Sequence, residues 1–521
     1  MMELRPAMNV TPRMIRLTLS ALAIAAALAA QAQPNILLVI ADDMGLDPAP
    51  GYMPGPQKAV MPNLEALMAA GLTFDNVWAN PLCSPTRSTV ITGRYGFRTG
   101  VLNPGDLSLL PSDEVTLHRY LDDVNSGYAT SIIGKWHLGG SSPDPAYPNA
   151  MGIPHYAGLL SGAVSNYSNW PLTINGTTNL SSEYITTKLT DLAVDWIGQQ
   201  TQPWFCWLAY NAPHTPLHLP PLDMHSQGAL PTDAASINAN PLPYYLAMCE
   251  SVDHEVGRLL AALPPGEAAS TVVIFMGDNG TDIDVIQAPY VQNHAKGTLF
   301  EGGVRVPLVI AGPGVTRAGE REEALVNGTD LFTTIVELTG QSLPSYHDSR
   351  SLVPMLSQSG LSVRSCLYTD VSQAVIGSAI RNERWKLISL DNGQERFFDL
   401  LNDPWEASNL LLLPLGPEAE LAYIGLNAEC GGMLMASSRV EAPDSDLRLV
   451  EAAGGFSMQG SAAGTIALRV LDPLGRTCMT RSGALPLWIE TGRLSAGLYR
   501  VVAEWPGGRA VLTAVVSGPG H

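Results

Sequence analysis

The chain has 521 residues, of which 46% are hydrophobic and 15% charged, and its formal net charge is −19. That length exceeds one ordinary core and suits a large α/β domain with one or two additions. The acidic field repels nucleic acid, anionic membranes and sulfated polymers alike, so no nucleic-acid partner is expected and any anionic substrate must be attracted locally.

In chain order, Arg13 and Arg16 precede the apolar run Leu17–Ala30, and Ala30-Gln31-Ala32 offers a small-x-small cleavage site. Residues 1–32 therefore read as a signal peptide. The run is too short to span a bilayer, which takes roughly 20 apolar residues, and no later segment qualifies. The mature protein is expected to be exported: periplasmic, on the cell surface or extracellular.

Short apolar runs then alternate with helical patterns, which predicts βα units and a large, mostly parallel mixed sheet between helices. Strands are predicted at Asn35–Ala41, Ala129–Ile133, Trp204–Ala209, Thr271–Met276 and Val306–Ala311, and helices at Pro62–Ala70, Ser182–Gln199, Tyr244–Leu263 and Asp330–Thr339. Polar residues follow four of these strands: Asp42-Asp43, Lys135 with His137, His214, and Asp278-Asn279. In open α/β sheets that edge is where ligands bind. Between the first two strands, Pro85 at a first helical turn and a Gly93 stop predict a short helix whose N-terminus points at Cys83, a place suited to an anion.

The catalytic unit is placed at 33–362. Residues 363–412 read as a small antiparallel-sheet subdomain, with strands in Ser378–Ile388 and Arg396–Leu400. A linker is placed at 413–436. The block 437–521, rich in short strands and turn signals, reads as a β-sandwich-like domain. Six cysteines are too few and too scattered for a disulfide scaffold; Cys206 and Cys249 read as buried thiols, and one disulfide among the others is left open.

Asp42-Asp43 could merely cap a helix and Asp278-Asn279 could start a turn. Together they supply hard oxygen ligands from two strand ends, which suits calcium or magnesium better than zinc. The chain has only five lysines against 24 arginines, and two of the five, Lys135 and Lys296, fall in motifs with His residues nearby. A compact ammonium is evidently wanted there.

Cys83-Ser84-Pro85-Thr86-Arg87, a Cys-x-Pro-x-Arg pentapeptide continued by Ser88-Thr89-Val90-Ile91-Thr92-Gly93-Arg94, resembles the signature of type I sulfatases of the alkaline-phosphatase superfamily. Gly134-Lys135-Trp136-His137, Ala212-Pro213-His214 and His294-Ala295-Lys296-Gly297-Thr298 through Glu301-Gly302-Gly303 extend the resemblance in the family's order. The resemblance implies a sulfuric ester hydrolase in which a maturating enzyme, such as the formylglycine-generating enzyme, converts Cys83 to formylglycine. It also implies a calcium ion held by Asp42, Asp43, Asp278, Asn279 and the modified Cys83. Arg87 would polarise the nucleophile, Lys135, His214 and Lys296 would hold the sulfate, and His137 would release it from the enzyme. Sulfated carbohydrate or aryl sulfate is the implied substrate. The family commonly has a Gly-Tyr-Gly-Asp-like run after the second Asp; here Met44-Gly45-Leu46-Asp47-Pro48 stands instead, which puts the pocket's rim in doubt.

Val470-Leu471-Asp472-Pro473-Leu474-Gly475-Arg476 and Leu494–Val502 resemble type IX secretion sorting domains, implying an outer-membrane secretion machinery as partner; an accessory carbohydrate-binding module is the other reading. Loops near 140–182 and 215–240 carry Tyr147, His155, Tyr156, Tyr167, Trp170 and His218, which either line a sugar pocket or pack in place. Competing functions are a phosphodiesterase or phosphonate monoester hydrolase of the same superfamily, and a non-catalytic binder of sulfated glycans. A zinc phosphatase is disfavoured, since it needs more His and Asp ligands.

Overall fold

The computed structural model describes residues 33–435, 448–452, 455–459, 465–471, 477–490, 497–505 and 508–516. Residues 1–32, read as a signal peptide, lie outside the described residues, as does 472–476 of the first sorting-domain motif. No helix among the described residues is long and apolar enough to cross a membrane.

Ten strands form the main sheet: β1 (Asn35–Ala41), β2 (Gly71–Trp78), β3 (Ala129–Gly134), β4 (His155–Gly158), β5 (Trp170–Ile174), β6 (Thr177–Ser181), β7 (Trp204–Ala209), β8 (Thr271–Gly277), β9 (Leu308–Ala311) and β10 (Arg321–Asn327), in the order β10-β2-β9-β8-β1-β7-β3-β4-β5-β6. The central neighbours β8, β1, β7 and β3 are mutually parallel. All seven residues of β1, Asn-Ile-Leu-Leu-Val-Ile-Ala, are buried, as a parallel strand covered on both faces requires. Alternation divides them: Leu37, Val39 and Ala41 pack into one cluster with Ile185, Leu189 and Val252, while Ile36, Leu38 and Ile40 join Val90, Ile91 and Phe332 on the other face. Helices therefore cover both faces, and the expected fold class is the observed one.

The expected strand at Val306–Ala311 is present as β9 but runs antiparallel to both β8 and β2, because an apolar run carries no direction. The helix expected after Cys83 spans Cys83–Thr92 and ends at Gly93, whose φ of 66° places it in the left-handed region; its N–H donates to Thr89 O at 2.9 Å. Every residue of this helix is buried, the polar ones included. Several are satisfied nearby: Thr86 Oγ1 accepts from Asn80 N–H at 2.9 Å, and Thr92 Oγ1 donates to Ser88 O at 2.7 Å; Ser84 Oγ is left without a partner. A polar helix can occupy this depth only with such partners.

The subdomain is a four-stranded antiparallel sheet, Leu367–Ser372, Ile376–Arg381, Trp385–Leu390 and Glu395–Asp399. One face shares a core with the segment around Lys296: Leu299, Phe300 and Val304 pack with Leu367, Ile388 and Phe398. Buried charges cross the same seam, with Glu301 bonded to Arg381 and to Lys386, each at 3.1 Å. The stretch 413–436, read as a linker, instead carries the helix Pro417–Met435, whose Leu426 and Cys430 pack on Tyr368, Trp385 and Phe397. Cys430 is disulfide-bonded to Cys366, so the subdomain does not close at 412. Cys206 and Cys249 are buried free thiols, as expected.

The disulfide closes a loop across 64 residues of sequence. A chain ended after Met435 is accordingly expected to unfold as the full catalytic unit does, whereas one ended after Leu415 loses about 2–4 kcal/mol in non-reducing urea melts.

In the last block, a three-stranded sheet (Arg448–Ala452, Gly455–Gln459, Leu487–Glu490) and a four-stranded sheet (Ile466–Leu471, Thr477–Gly483, Gly497–Trp505, Gly508–Val516) are both antiparallel. Phe456, Met458 and Ile489 of the first share a core with Leu468, Val470 and Val501 of the second, the arrangement of a small sandwich.

Candidate active site

The C-terminal ends of β1, β3, β7 and β8 meet at one place, and the N-terminus of the Cys83–Thr92 helix points into it. Carboxylate oxygens of Asp42, Asp43 and Asp278 come within 4.8 Å of one another, all buried. Three cations balance them. Arg87 Nη2 donates to Asp278 Oδ2 at 2.8 Å, Lys296 Nζ lies 2.6 Å from Asp43, and Lys135 Nζ donates to Asp42 Oδ2. His214 Nε2 stands 3.8 Å from Asp43 Oδ2, and Cys83 Sγ lies 3.3 Å from His137 Nδ1. Nine of the ten residues singled out in the sequence thus converge, and the tenth, Asn279, joins them by donating Nδ2–H to Asp43 Oδ1.

The backbone is shaped for this. Asp43 and His137 both adopt positive φ, 68° and 55°, a region that residues with a Cβ visit at a cost. Asp43 is held by its own carbonyl, which accepts from Tyr245 O–H at 2.8 Å, and by its N–H, which donates to Asp278 Oδ1 at 3.0 Å. The Lys135 carbonyl accepts from Arg87 Nη1 at 2.9 Å, tying the pentapeptide to the end of β3.

Hydrogen bonds also fix the imidazole tautomers. His137 Nε2 lies 3.1 Å from Pro104 O, which can only accept, so Nε2 carries the proton and Nδ1 turns a lone pair toward Sγ. Burial, then the charges of Lys135 and Arg87, hold His137 neutral well below the usual histidine range. His214 Nδ1 donates to Thr215 O at 2.8 Å, leaving Nε2 to face the site, and burial lowers this group as well. For Lys296, burial works downward but Asp43 outweighs it, so the ammonium stays protonated.

The donor set fits a divalent, oxygen-seeking cation. Burial pushes Asp42 up to about 6 against the pull of Lys135, and burial together with Asp42 pushes Asp278 up to about 6. Such carboxylates gain from one more positive charge. Asn279 spends its amide nitrogen twice, donating to Asp43 Oδ1 and to Gly280 O at 2.9 Å each, which leaves its buried Oδ1 with no hydrogen bond; Asp42 Oδ1 is in the same state. Two orphaned oxygens beside three carboxylates, with no His or Cys in that set, are hard-cation chemistry. Asn279 is fully buried, so the Asn279-Gly280-Thr281 acceptor pattern is not a surface sugar site.

A supporting layer escaped the sequence reading. Asp47, expected at the rim, is 1% exposed and accepts from Thr281 Oγ1 and from Gln287 N–H, the latter at 3.1 Å. Thr281 Oγ1 in turn lies 3.3 Å from Tyr245 O–H. Asp47 therefore braces Asp43 from beneath; its signal was a lone acid in a Pro- and Gly-rich stretch. Of the loop residues weighed for sugar binding, Tyr156, Tyr167 and Trp170 are buried, Tyr147 O–H donates to Leu110 O at 2.5 Å, and His155 stacks on Trp196. His218 bonds Tyr184 O–H at 3.0 Å. These are packed side chains.

Comparison with known proteins follows the same residues. A family model described as Sulfatase matches residues 34–341, and one described as N-sulphoglucosamine sulphohydrolase, C-terminal, matches 292–415. The chain is 30% identical over 454 residues to arylsulfatase A of Bos taurus, covering 75% of this chain and 86% of that one. It is 31% identical over 385 residues to N-acetylgalactosamine-6-sulfatase of Homo sapiens, covering 64% and 68% respectively. Among solved structures, Ps i-CgsB in complex with k-i-k-neocarrahexaose superposes with a TM-score of 0.64 at 26% identity, covering 78% of this chain and 93% of that one. A protein solved in complex with its substrate D-glucosamine-2-N, 6-O-disulfate superposes at 0.61 with 20% identity, over 78% and 97%, a likeness of fold.

Proposed function

The chain belongs to the sulfatase family and is a sulfuric ester hydrolase, and we propose that it is an exported enzyme that removes sulfate from a carbohydrate with formylglycine at position 83 and calcium. The observation that carries this reading is the placement of Cys83 at an uncapped helix N-terminus, against His137 and within a set of three buried carboxylates and three cations. A carbohydrate substrate is supported by a relative named N-acetylgalactosamine-6-sulfatase and by the similar structure solved in complex with k-i-k-neocarrahexaose.

The chemical problem is charge, because negative charge builds on the leaving oxygen while the nucleophile approaches an anion. Asp42, Asp43, Asp278 and Asn279 would hold calcium, which when bound polarises the nucleophile and the sulfate oxygens. Arg87, charged and fully buried, orients the hydroxyl at position 83, and Asp278 takes its proton. Lys135 and Lys296 bind the sulfate oxygens, and His214 joins them once Nε2 is protonated. Lys296, protonated at rest, is the better placed of the last two to give a proton to the departing alcohol, since neutral His214 presents a lone pair. His137 Nδ1 then draws the proton from the second hydroxyl of the hydrate, so that sulfate leaves and the aldehyde returns. A single serine hydroxyl has no such second proton to give.

The test joins two measurements: the mass of the peptide containing position 83, and initial rates on aryl sulfate against aryl phosphate. Formylglycine with sulfate preferred supports the reading; phosphate preferred transfers it to the phosphoryl-transfer branch of the superfamily.

Export is supported by the apolar run at Leu17–Ala30 and by the Cys366–Cys430 disulfide, a bond that persists in oxidising compartments. The terminal sandwich would serve as the sorting domain. Deleting residues 437–521 in the native host is then expected to leave active enzyme in the periplasm. Normal release of the truncated protein, with weaker hold on insoluble polysaccharide, assigns that block to carbohydrate binding instead.

A further inference from the structure

Most of the catalytic set is sealed. Cys83 is 2% exposed, Lys135 and Arg87 are 1% exposed, and Asp42 and Asp278 are fully buried. His214 and Lys296 differ, each with 15% of its side chain open. The alcohol side of a sulfate ester bound in this floor must therefore leave past these two groups.

A cavity of about 590 Å³ lies beside them, lined by Thr215, Pro216, Leu217, Ile237, Asn238 and Asp284 among others. That volume is in the range of small-ligand sites. Two of its walls are tied to His214 and Lys296. Thr215 follows His214 and its carbonyl accepts from His214 Nδ1 at 2.8 Å. Asp284 sits on the turn that begins at Asp282, directly after Thr281, whose carbonyl accepts from Lys296 N–H at 2.9 Å. Whatever fills the cavity is thus presented to the sulfate-binding end of the site.

The chemistry of the lining is selective. Pro216, Leu217 and Ile237 offer an apolar face suited to the C–H side of a pyranose, and Thr215 and Asn238 offer hydrogen bonds to its hydroxyl or amide groups. Asp284 is the only ionisable group in the lining, and no Lys or Arg among the described residues forms a salt bridge with it. Asp284 is exposed, so a second anion on the ring would meet its charge as a screened repulsion at a solvent-accessible wall.

We propose that this cavity seats the sugar ring bearing the scissile sulfate, that it takes rings with no second anionic group, and that Asp284 sets this preference by repelling a second sulfate or a carboxylate. The inference rests on the sulfatase reading and narrows its substrate class to singly sulfated neutral sugars, N-acetylhexosamines and hexoses among them.

The experiment uses the full-length enzyme turning over 4-nitrophenyl sulfate, with N-acetylgalactosamine 6-sulfate and its 4,6-disulfate as competitors. The monosulfate is expected to inhibit about tenfold more strongly than the disulfate, the effect of one like charge at about 6 Å in a partly screened site. Asp284→Asn is expected to shrink that ratio to about two and Asp284→Lys to invert it. Raising the salt should shrink the wild-type ratio, as a charge effect at an open site does and a steric one does not. Equal inhibition in wild type, a ratio that persists in both variants, or no inhibition by either sugar while the aryl ester is hydrolysed overturns the subsite. Failure to hydrolyse any sulfate ester with position 83 fully converted removes the underlying reading, and the subsite with it.

Discussion

Cys83→Ala is expected to lower sulfate-ester turnover by about 10⁴-fold or more, the scale on which enzymes lose a covalent nucleophile. Only the chemistry of that position need fail. The site is braced by Arg87 on Asp278, Lys135 on Asp42 and Lys296 on Asp43, none of which involves the Cys83 side chain, so melting temperature should hold. Cys83→Ser separates attack from release. A serine hydroxyl facing His137 Nδ1 can receive sulfate once but offers no second hydroxyl to expel it, so one equivalent of alcohol should appear and the peptide should gain a sulfate. Rapid turnover by a preparation whose position 83 is wholly unmodified cysteine would falsify the nucleophile assignment.

The strand ends that build the site were legible in the sequence because buried parallel strands read as unbroken apolar runs, and a charged residue at the end of such a run stands out. Asn35–Ala41 followed by Asp42-Asp43, and Thr271–Gly277 followed by Asp278-Asn279, have that form. Strand direction was not legible: Leu308–Ala311 has the same composition whether it runs with β8 or against it. β2, Gly-Leu-Thr-Phe-Asp-Asn-Val-Trp, mixes polar and apolar residues, so neither an unbroken apolar run nor a clean alternation marks it. The helix Pro417–Met435 hid for another reason. Of its described side chains only Leu426 and Cys430 are buried, while Leu421 and Ile424 are exposed, and its Gly431-Gly432 pair and weak periodicity resemble linker sequence. Asp47 was missed because its role depends on Thr281, 234 residues away.

Asp43→Asn is the second change expected to have a large effect, a loss of about 10²–10³-fold in kcat/KM with the calcium response of the melting temperature abolished. Without a metal, the three carboxylates of Asp42, Asp43 and Asp278 are matched by Arg87, Lys135 and Lys296, so the buried floor is close to neutral. A divalent cation among the same oxygens gives the floor the excess positive charge that an anionic ester requires. The asparagine preserves size and one oxygen but removes a charged ligand, and it leaves Lys296 without its 2.6 Å partner. Metal affinity and the position of the proton donor should therefore fail together. Asp47→Asn supplies the contrast. Acting only through Thr281 and Tyr245 on the Asp43 backbone, it should cost about 10–100-fold yet keep the calcium-dependent rise in melting temperature. Wild-type enzyme stripped of metal should lose activity and recover it on adding calcium. Full activity in the stripped enzyme, with no change in melting on adding calcium, would mean that Arg87, Lys135 and Lys296 suffice and that the orphaned oxygens of Asp42 and Asn279 serve no cation.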